Sequence, residues 1–334
     1  MSLENRIPIQ LKEAEQFSHI TALVTGGASG IGRDVTRMLH WHGANVVIGS
    51  RSDESYEAMR SEFLGRRISH FGADISRLES VEFHINDLVE KGIFEKGKKP
   101  NLVVHSVSGG MESVFEKHKL KIARLRRVND PKAREEKMIE LRELLMEEVT
   151  NSMDFARKTN VEGGRFFTEK ITELMPEGSM FVVYPSLWSW MAKKGALIPG
   201  VYSGIAETKN EYERWLMEYS SGLSKRGINV AFIIPHIVGG ASVDGEVVNG
   251  TGVGKGMIIF MEYILSEEDA GMLKGMSVTT RHVAEATKLV IESNPNEWDR
   301  NPAQFYVLGD EKGGAYMTNY ISPKDVSLQI KFPL

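Results

Sequence analysis

The stretch Thr21–Gly32, TALVTGGASGIG, decides the fold class of this chain. It joins a short apolar run to three spaced glycines, Gly26, Gly30 and Gly32, and the residues that follow have a helical pattern. Glycines at such a turn let the backbone approach a phosphate closely, while the helix N-terminus offers unpaired N–H groups and a positive dipole end. A plain glycine-rich turn is the alternative, but the position between a first strand and a helix predicts a site for the pyrophosphate of a dinucleotide.

The rest of the chain continues this alternation of strand and helix. Short runs rich in Val, Ile and Phe have polar or glycine-rich ends, and most are separated by helix-length stretches. The pattern predicts a doubly wound α/β fold, in which helices cover both faces of a buried parallel sheet through right-handed crossovers. The predicted strands are Ala22–Thr25, Asn45–Ile48, Ile68–Ala73, Leu102–His105, Phe181–Tyr184, Asn229–Ile234 and Phe305–Leu308.

Composition limits the classes of function. The 334 residues carry 41 basic and 45 acidic side chains, a net charge of -4, and no cysteine. The near-neutral balance argues against nucleic-acid binding through bulk charge, and the lack of thiols excludes disulfides, cysteine nucleophiles and cysteine-bound metals. No apolar run approaches the roughly 20 residues of a membrane span, the N-terminus does not read as a secretory signal, and no His/Asp/Glu cluster has metal-ligand spacing. We therefore expect one cytoplasmic domain over 1–334, with no metal, nucleic-acid or membrane partner.

The end of the second predicted strand bears on the choice of dinucleotide. A carboxylate there would hydrogen-bond the ribose 2′-hydroxyl of NAD and repel a 2′-phosphate. The sequence NVVIGSRS instead has Ser50 and Arg51 at this place. Because arginine offers a planar fork of donors that suits a phosphate, the sequence predicts a preference for NADP(H); a solvated loop arginine is the alternative.

The motif TGGASGIG resembles that of the short-chain dehydrogenase/reductase family, and further landmarks follow in the family's order over roughly residues 19 to 315. Asp74 in GADIS resembles the family's adenine-contacting aspartate, Asn160 in TNVEGGRFF its catalytic-tetrad asparagine, and YVLGDEKGG its C-terminal strand and glycine pair. The resemblance implies the strand order 3-2-1-4-5-6-7 and a homo-dimer or homo-tetramer. It implies a cofactor site made of Gly26, Ser29, Gly30, Ile31, Gly32, Ser50, Arg51, Asp74, Ile75, His105, Ser106, Val107, Lys209 and Pro235.

The family's catalytic tyrosine and lysine are represented in YSGIAETK by Tyr202 and Lys209. Ala206 occupies the usual position of the lysine, so the spacing is Tyr-x6-Lys in place of Tyr-x3-Lys. At about 3.6 residues per turn, i+7 returns to nearly the same helix face, and Lys209 can still point the way Tyr202 points. The resemblance assigns proton donation to Tyr202 and the cofactor ribose to Lys209; an amphipathic helix with a surface lysine is the alternative.

Tyr-x6-Lys is a marker of the enoyl-acyl-carrier-protein reductase branch, which the chain also resembles elsewhere. The run 105–107, His-Ser-Val, is close to the branch's His-Ser-Ile, Pro235 falls one position later than in most of the family, and 197–202 resembles its Ile-Pro-Asn-Tyr segment. Two features depart from the branch: position 192 is Ala where a second tyrosine is expected, and Asn160 is more typical of carbonyl reductases.

The resemblance therefore implies NADPH-dependent reduction of an activated C=C bond in an enoyl thioester or a related α,β-unsaturated carbonyl compound. Ketone reduction of the 3-oxoacyl type is the alternative reaction, with Ser186 or Ser189 orienting the carbonyl. A non-catalytic NADP-binding sensor is an alternative of another class, although the retained Asn160, Tyr202 and Lys209 argue against it. Other residues with two interpretations each, as substrate contacts or as structural residues, are Trp188, Trp190 and His236.

Two segments between predicted strands are longer than this fold requires. The first, near 112–150, contains the basic run KHKLKIARLRR, which either docks an acyl carrier protein or the phosphate of CoA, or is neutralised by the acidic run that follows. We favour neutralisation. The second, near 239–280, follows the sixth predicted strand, and its methionines at 257, 261, 272 and 276 suit a substrate lid, with plain core packing as the alternative.

Overall fold

A computed structural model of the chain describes residues 15–63, 68–94, 99–109, 127–185, 200–235 and 278–309, with shorter pieces at 117–118, 120–121, 124–125, 238, 241–243, 246–248 and 315–318. Its strands are β1 (Thr21–Thr25), β2 (Asn45–Gly49), β3 (Ile68–Phe71), β4 (Leu102–His105), β5 (Met180–Val183), β6 (Asn229–Pro235), β7 (Ala241–Val243), β8 (Glu246–Val248), β9 (Ala303–Gly309) and β10 (Ala315–Thr318). The α-helices are α1 (Gly30–Trp41), α2 (Asp53–Arg60), α3 (Leu78–Glu90), α4 (Pro131–Asn151), α5 (Met153–Arg157), α6 (Gly164–Leu174), α7 (Gly200–Lys225) and α8 (Thr280–Glu292). A π-helical turn, Lys158–Gly163, joins α5 to α6, and a 3-10 turn covers Pro295–Glu297.

The main sheet has the strand order β10-β9-β6-β5-β4-β1-β2-β3, and a separate hairpin pairs β7 with β8. The pairs from β3 across to β9 are all parallel, whereas β10 runs antiparallel to β9. With β9 as the seventh parallel strand, the predicted order is confirmed. Several predicted strand bounds differ from the structure by one or two residues. β5 is Met180–Val183 in place of Phe181–Tyr184, and β9 begins at Ala303, two residues before Phe305. β3 ends at Phe71, two residues before Ala73, because its pairing with β2 ends where Gly49 faces Phe71.

Successive residues of the central strands point to opposite faces and enter two separate cores. In β1, Leu23 packs in the core formed with α3, α6 and α7, whereas Ala22 and Val24 pack in the core formed with α1, α2 and α8. A strand buried on both faces has no polar alternation, which is why these strands read as continuous apolar runs. The three layers confirm the doubly wound fold and leave the carboxyl ends of the parallel strands at one edge of the sheet.

The charged region near 112–150 contains α4, whose first residue is Pro131; proline is favoured there because the first helical N–H has no partner within the helix. Leu141 and Leu145 of α4 are buried, so one side of this helix packs on the protein. Most of the predicted lid near 239–280 lies outside the described residues, apart from the β7–β8 hairpin and a parallel bridge between Val238 and Val278. Within the described part of the chain, no helix combines the length and apolarity needed to cross a membrane.

Candidate dinucleotide and active site

The turn between β1 and α1 depends on its glycines. Gly26 and Gly30 have φ angles of 65° and 52°, in the left-handed region that costs most other residues about 1–2 kcal/mol. Gly32 is required for a different reason, since a Cβ at this position would lie 2.3 Å from the carbonyl oxygen of Gly26. The glycines therefore let α1 begin almost in contact with the preceding turn.

The start of α1 fits a pyrophosphate. Ser29 precedes the helix in an extended conformation and makes no side-chain cap, and the first turn carries no acidic residue. A Cβ at Gly30 would meet nothing within 4 Å, which leaves the approach to this helix end open. Because the first N–H groups of a helix have no partner within it, they can donate to phosphate oxygens here. Ile31, also predicted for this site, is half-buried in the same turn.

The loop after β2 carries the residues predicted to contact the 2′-phosphate of NADP(H). The Ser50 N–H donates to the Phe71 carbonyl at 3.1 Å, and the Ser50 hydroxyl donates to the Ser52 carbonyl at 3.0 Å. Arg51 is exposed, and its guanidinium carbon lies 5.7 Å from the centre of the Phe155 ring. The loop backbone is thus held by hydrogen bonds, while the Arg51 guanidinium contacts an aromatic face.

The loop after β3 holds Asp74 and Ile75. The Asp74 carboxylate accepts hydrogen bonds from the Ser76 N–H at 3.0 Å and from its hydroxyl at 2.7 Å, and the Asp74 N–H donates to Ser80 Oγ at 3.1 Å. Ile75 is buried, and a Cβ at Gly163 would lie 1.8 Å from the Ile75 carbonyl oxygen. The π-helical turn is therefore pressed directly against the loop predicted to contact adenine.

The end of β4 is tied to the phosphate turn through Thr25. The Ser106 N–H donates to Thr25 Oγ1 at 3.0 Å, and the same oxygen lies 3.0 Å from His105 Nδ1. Complete burial lowers the pKa of His105 to about 4, so the imidazole is neutral at physiological pH. Val107 follows as a partly buried residue packed on the core. These contacts bring the loop after β4 beside the glycine turn after β1.

Asn160 joins three elements of the site. Its Oδ1 accepts the Gly109 N–H at 2.7 Å, while its Nδ2 donates to the Gly109 carbonyl and to Thr208 Oγ1, each at 3.0 Å. Asn160 lies in the π-helical turn, Gly109 follows β4, and Thr208 is on α7 directly before Lys209. The side chain of Asn160 therefore fixes the distance between the loop after β4 and the helix that carries Lys209.

Both members of the predicted catalytic pair lie on α7, a continuous helix from Gly200 to Lys225. Ala206, in the family's usual lysine position, is fully buried, and Lys209 is half-buried. The spacing places positions 202, 206 and 209 within an arc of roughly 60° on one face of α7. Pro235 is buried at the end of β6. The side chain of Tyr202 lies outside the described residues, as do Ser186, Trp188, Ser189, Trp190 and His236.

Sequence reasoning did not find Gly109, Thr208 or Phe155. All three act through contacts with residues distant in the chain, and none belongs to a local motif. The sequence does contain a signal for the π-helical turn, namely the pair Gly163-Gly164 shortly after Asn160. Two glycines inside a helical pattern destabilise a helix, so such a pair indicates a close contact or an irregular turn.

Comparisons with known proteins agree with this geometry. Residues 20–125 match the family model described as short chain dehydrogenase. Short-chain dehydrogenase TIC 32 A, chloroplastic, of Brassica napus is 36% identical over 75 residues, which are 21% of this chain and 23% of that protein. Short-chain dehydrogenase reductase 3a of Arabidopsis thaliana is 27% identical over 79% of this chain and 85% of its own. A short-chain dehydrogenase of Burkholderia cenocepacia J2315 in complex with NADP shares the fold with a TM-score of 0.57, at 18% identity, over 89% of this chain and 97% of its own.

The fold and the glycine turn define a Rossmann-type α/β protein. The family model matches residues 20–125, which include β1 to β4 and the loops between them, so this part of the chain is similar to short-chain dehydrogenases. The match to the first of these curated relatives spans about a quarter of that relative's length.

Proposed function

We propose that this protein is an NADPH-dependent oxidoreductase that reduces an activated C=C bond in an enoyl thioester or a related α,β-unsaturated carbonyl compound. The observation that carries the proposal is the placement of Tyr202 and Lys209 two turns apart on α7, with a buried alanine at position 206. The glycine turn, Arg51 and the loop of Asp74 support binding of NADPH along the adjacent strand ends.

NADPH supplies a hydride when it is bound, and the residues of this chain supply orientation and a proton. Lys209 would hold the ribose hydroxyls next to the nicotinamide, since the hydrogen bond between Asn160 and Thr208 fixes the position of its helix turn. Tyr202 would donate a proton to the substrate oxygen that gains negative charge when the β-carbon accepts the hydride, and the resulting enol would tautomerise to the saturated carbonyl compound. A positioned donor of this kind contributes about 10²–10⁴-fold to the rate.

Ketone reduction is the second candidate, and Asn160 is the observation that favours it. This asparagine is typical of the carbonyl reductases of the family, and here it is buried with its amide fully hydrogen-bonded. The same Tyr202 would then protonate an alkoxide at the carbon that accepts the hydride. The two reactions differ in the position of that carbon and share the same cofactor, donor and lysine.

The experiment is NADPH oxidation by the full-length protein with a crotonyl thioester and, separately, an acetoacetyl thioester. We expect faster turnover of the crotonyl compound and a loss of about 10²–10⁴-fold in kcat for Tyr202→Phe. Tyr219→Phe on the same helix is the matched control, since Tyr219 contacts Thr172 on α6, and it should keep full activity. Turnover of the acetoacetyl compound alone would favour the ketone reaction. Tight binding of NADPH without turnover of either thioester would favour a non-catalytic sensor.

The basic segment near 117–127 offers limited support for an acidic carrier as partner. Lys117 Nζ and His118 Nε2 lie 2.9 and 2.8 Å from the same carboxylate oxygen of Glu148, on α4. The acidic run therefore neutralises at least this part of the basic run. We retain a carrier-bound or CoA-bound thioester as a proposal that the choice of crotonyl carrier in the same assay would test.

A further inference from the structure

We propose that Phe155 is a specificity-determining residue that positions the guanidinium of Arg51 for the 2′-phosphate of NADPH. The inference rests on the proposed NADPH dependence and adds to it a residue outside the glycine turn and the strand ends. Phe155 lies on α5, immediately after the charged helix α4 and before the π-helical turn.

The geometry of the pair favours positioning. Arg51 is exposed at the end of β2, and its guanidinium carbon lies 5.7 Å from the centre of the half-buried Phe155 ring. A cation within about 6 Å of an aromatic ring is attracted by the negative charge of the ring face. This attraction uses none of the in-plane N–H donors, whereas a carboxylate partner would occupy them. The donors of Arg51 consequently stay available for a phosphate.

The segment that carries Phe155 is itself anchored. The next residue, Ala156, is fully buried, and Arg157 forms an ion pair with Glu211 of α7 at 3.0 Å. The ring is therefore a fixed surface against which a long, flexible side chain can rest. Restricting an arginine before the ligand arrives reduces the conformational entropy that binding must remove.

The carboxylate nearest to Arg51 in sequence contacts another side chain. This carboxylate, Asp53, lies 3.5 Å from His70 Nδ1, while His70 Nε2 contacts the Ser50 carbonyl at 2.9 Å. The His70 ring stacks on Tyr56 at 4.1 Å, which fixes its orientation. On α1, both Arg33 and Arg37 pair with Glu62. Within the described part of the chain, Arg51 makes no ion pair.

The test compares dissociation constants for NADP+ and NAD+, measured by titration calorimetry on the full-length protein and its variants. Phe155→Leu keeps an apolar side chain without the ring, and we expect it to weaken NADP+ binding about 2–5-fold while leaving NAD+ binding unchanged. Phe155→Tyr keeps the ring and should bind both cofactors as the wild type does. In an Arg51→Gln background, Phe155→Leu should have no further effect on NADP+.

The role of Phe155 would be overturned if Phe155→Leu weakened the binding of both cofactors equally, or if its effect on NADP+ binding were undiminished in the Arg51→Gln background. Either result would leave the preference for NADP+ standing. A loss of NADP+ affinity in Phe155→Tyr would also count against it, since the ring is retained. If the wild type binds NAD+ at least as tightly as NADP+, the proposed cofactor itself is wrong. The two failures are therefore distinguishable.

Discussion

His105 shows how one residue ties the site to the sheet. Its imidazole is buried at the end of β4, bonded to Thr25 and packed against Phe167 and Tyr212 at ring distances of 5.1 and 5.7 Å. A charged imidazole would lose its hydration there, and no carboxylate among the described residues forms an ion pair with it. The residue is therefore kept neutral, and its role in this site is to position the loop after β4.

This burial predicts a pH dependence of stability. The pKa of His105 is lowered from 6.5 to about 4 in the folded protein, so between these values the unfolded chain binds a proton that the folded chain does not. Above about pH 6.5 His105 is neutral in both states and this effect costs no stability. As the pH falls toward about 4, the effect lowers the free energy of unfolding by a total near 3 kcal/mol. We expect the free energy of unfolding of the wild type to fall by about 2 kcal/mol more than that of His105→Asn between pH 7.5 and pH 5.

Urea denaturation at a series of pH values measures this difference. His19→Gln, at an exposed histidine in the loop before β1, is the control and should follow the wild-type curve. Parallel curves for the wild type and His105→Asn would mean that His105 becomes protonated in the folded protein as readily as in the unfolded chain.

At the scale of elements, the π-helical turn is the feature that assembles the site. An extra residue in a helix turns the following side chains, and such turns are frequent at functional sites. Here the turn directs Asn160 toward Gly109 and Thr208, and it can form because Gly163 and Gly164 approach the Ile75 carbonyl and the Tyr212 ring closely. The same turn thus connects the loop after β3, the loop after β4 and α7.

We expect Gly163→Ala to lower the free energy of unfolding by more than about 3 kcal/mol, since the added Cβ would lie 1.8 Å from a backbone oxygen that no rotamer change can move. Gly222→Ala is the matched control. Gly222 lies on α7, is exposed, and a Cβ there would meet nothing within 4 Å, so alanine should stabilise the protein by about 0.5–1 kcal/mol. Chemical denaturation measures the free energy of unfolding of both variants. If Gly163→Ala lowers it by less than about 1 kcal/mol, the π-helical turn can shift away from Ile75.

At the scale of the whole molecule, the parallel sheet follows from local patterns, whereas much of the site does not. Runs such as Leu102–His105 and Asn229–Pro235 are apolar on both faces, which predicts buried parallel strands, and TGGASGIG predicts the phosphate turn. The antiparallel strand Ala315–Thr318 has no such signal, because AYMT is short and lies at the edge of the sheet. Likewise, the contact of Arg51 with Phe155 joins residues about a hundred positions apart. Contacts of this kind are set by packing, and no spacing rule along the sequence encodes them.

Because the predicted cofactor contacts come from strand ends embedded in both cores, ligand binding should stabilise the whole fold. A ligand at about 100 times its dissociation constant adds roughly 2.7 kcal/mol to the free energy of unfolding. At equal concentrations we expect NADP+ to raise the Tm of the wild type by several degrees more than NAD+ does. Arg51→Asp should reverse this order, since a carboxylate repels the 2′-phosphate and accepts a hydrogen bond from the ribose hydroxyl.

Arg60→Asp makes the same change of charge on α2, at an exposed arginine that pairs with Glu57, and should keep the wild-type order of the two cofactors. Thermal unfolding of the three proteins with each cofactor is sufficient for this comparison. An unchanged preference for NADP+ in Arg51→Asp would remove Arg51 from the 2′-phosphate site and with it the positioning role of Phe155. A reversal in Arg51→Asp, with no reversal in Arg60→Asp, would tie the preference to the loop after β2, because both variants change the net charge equally.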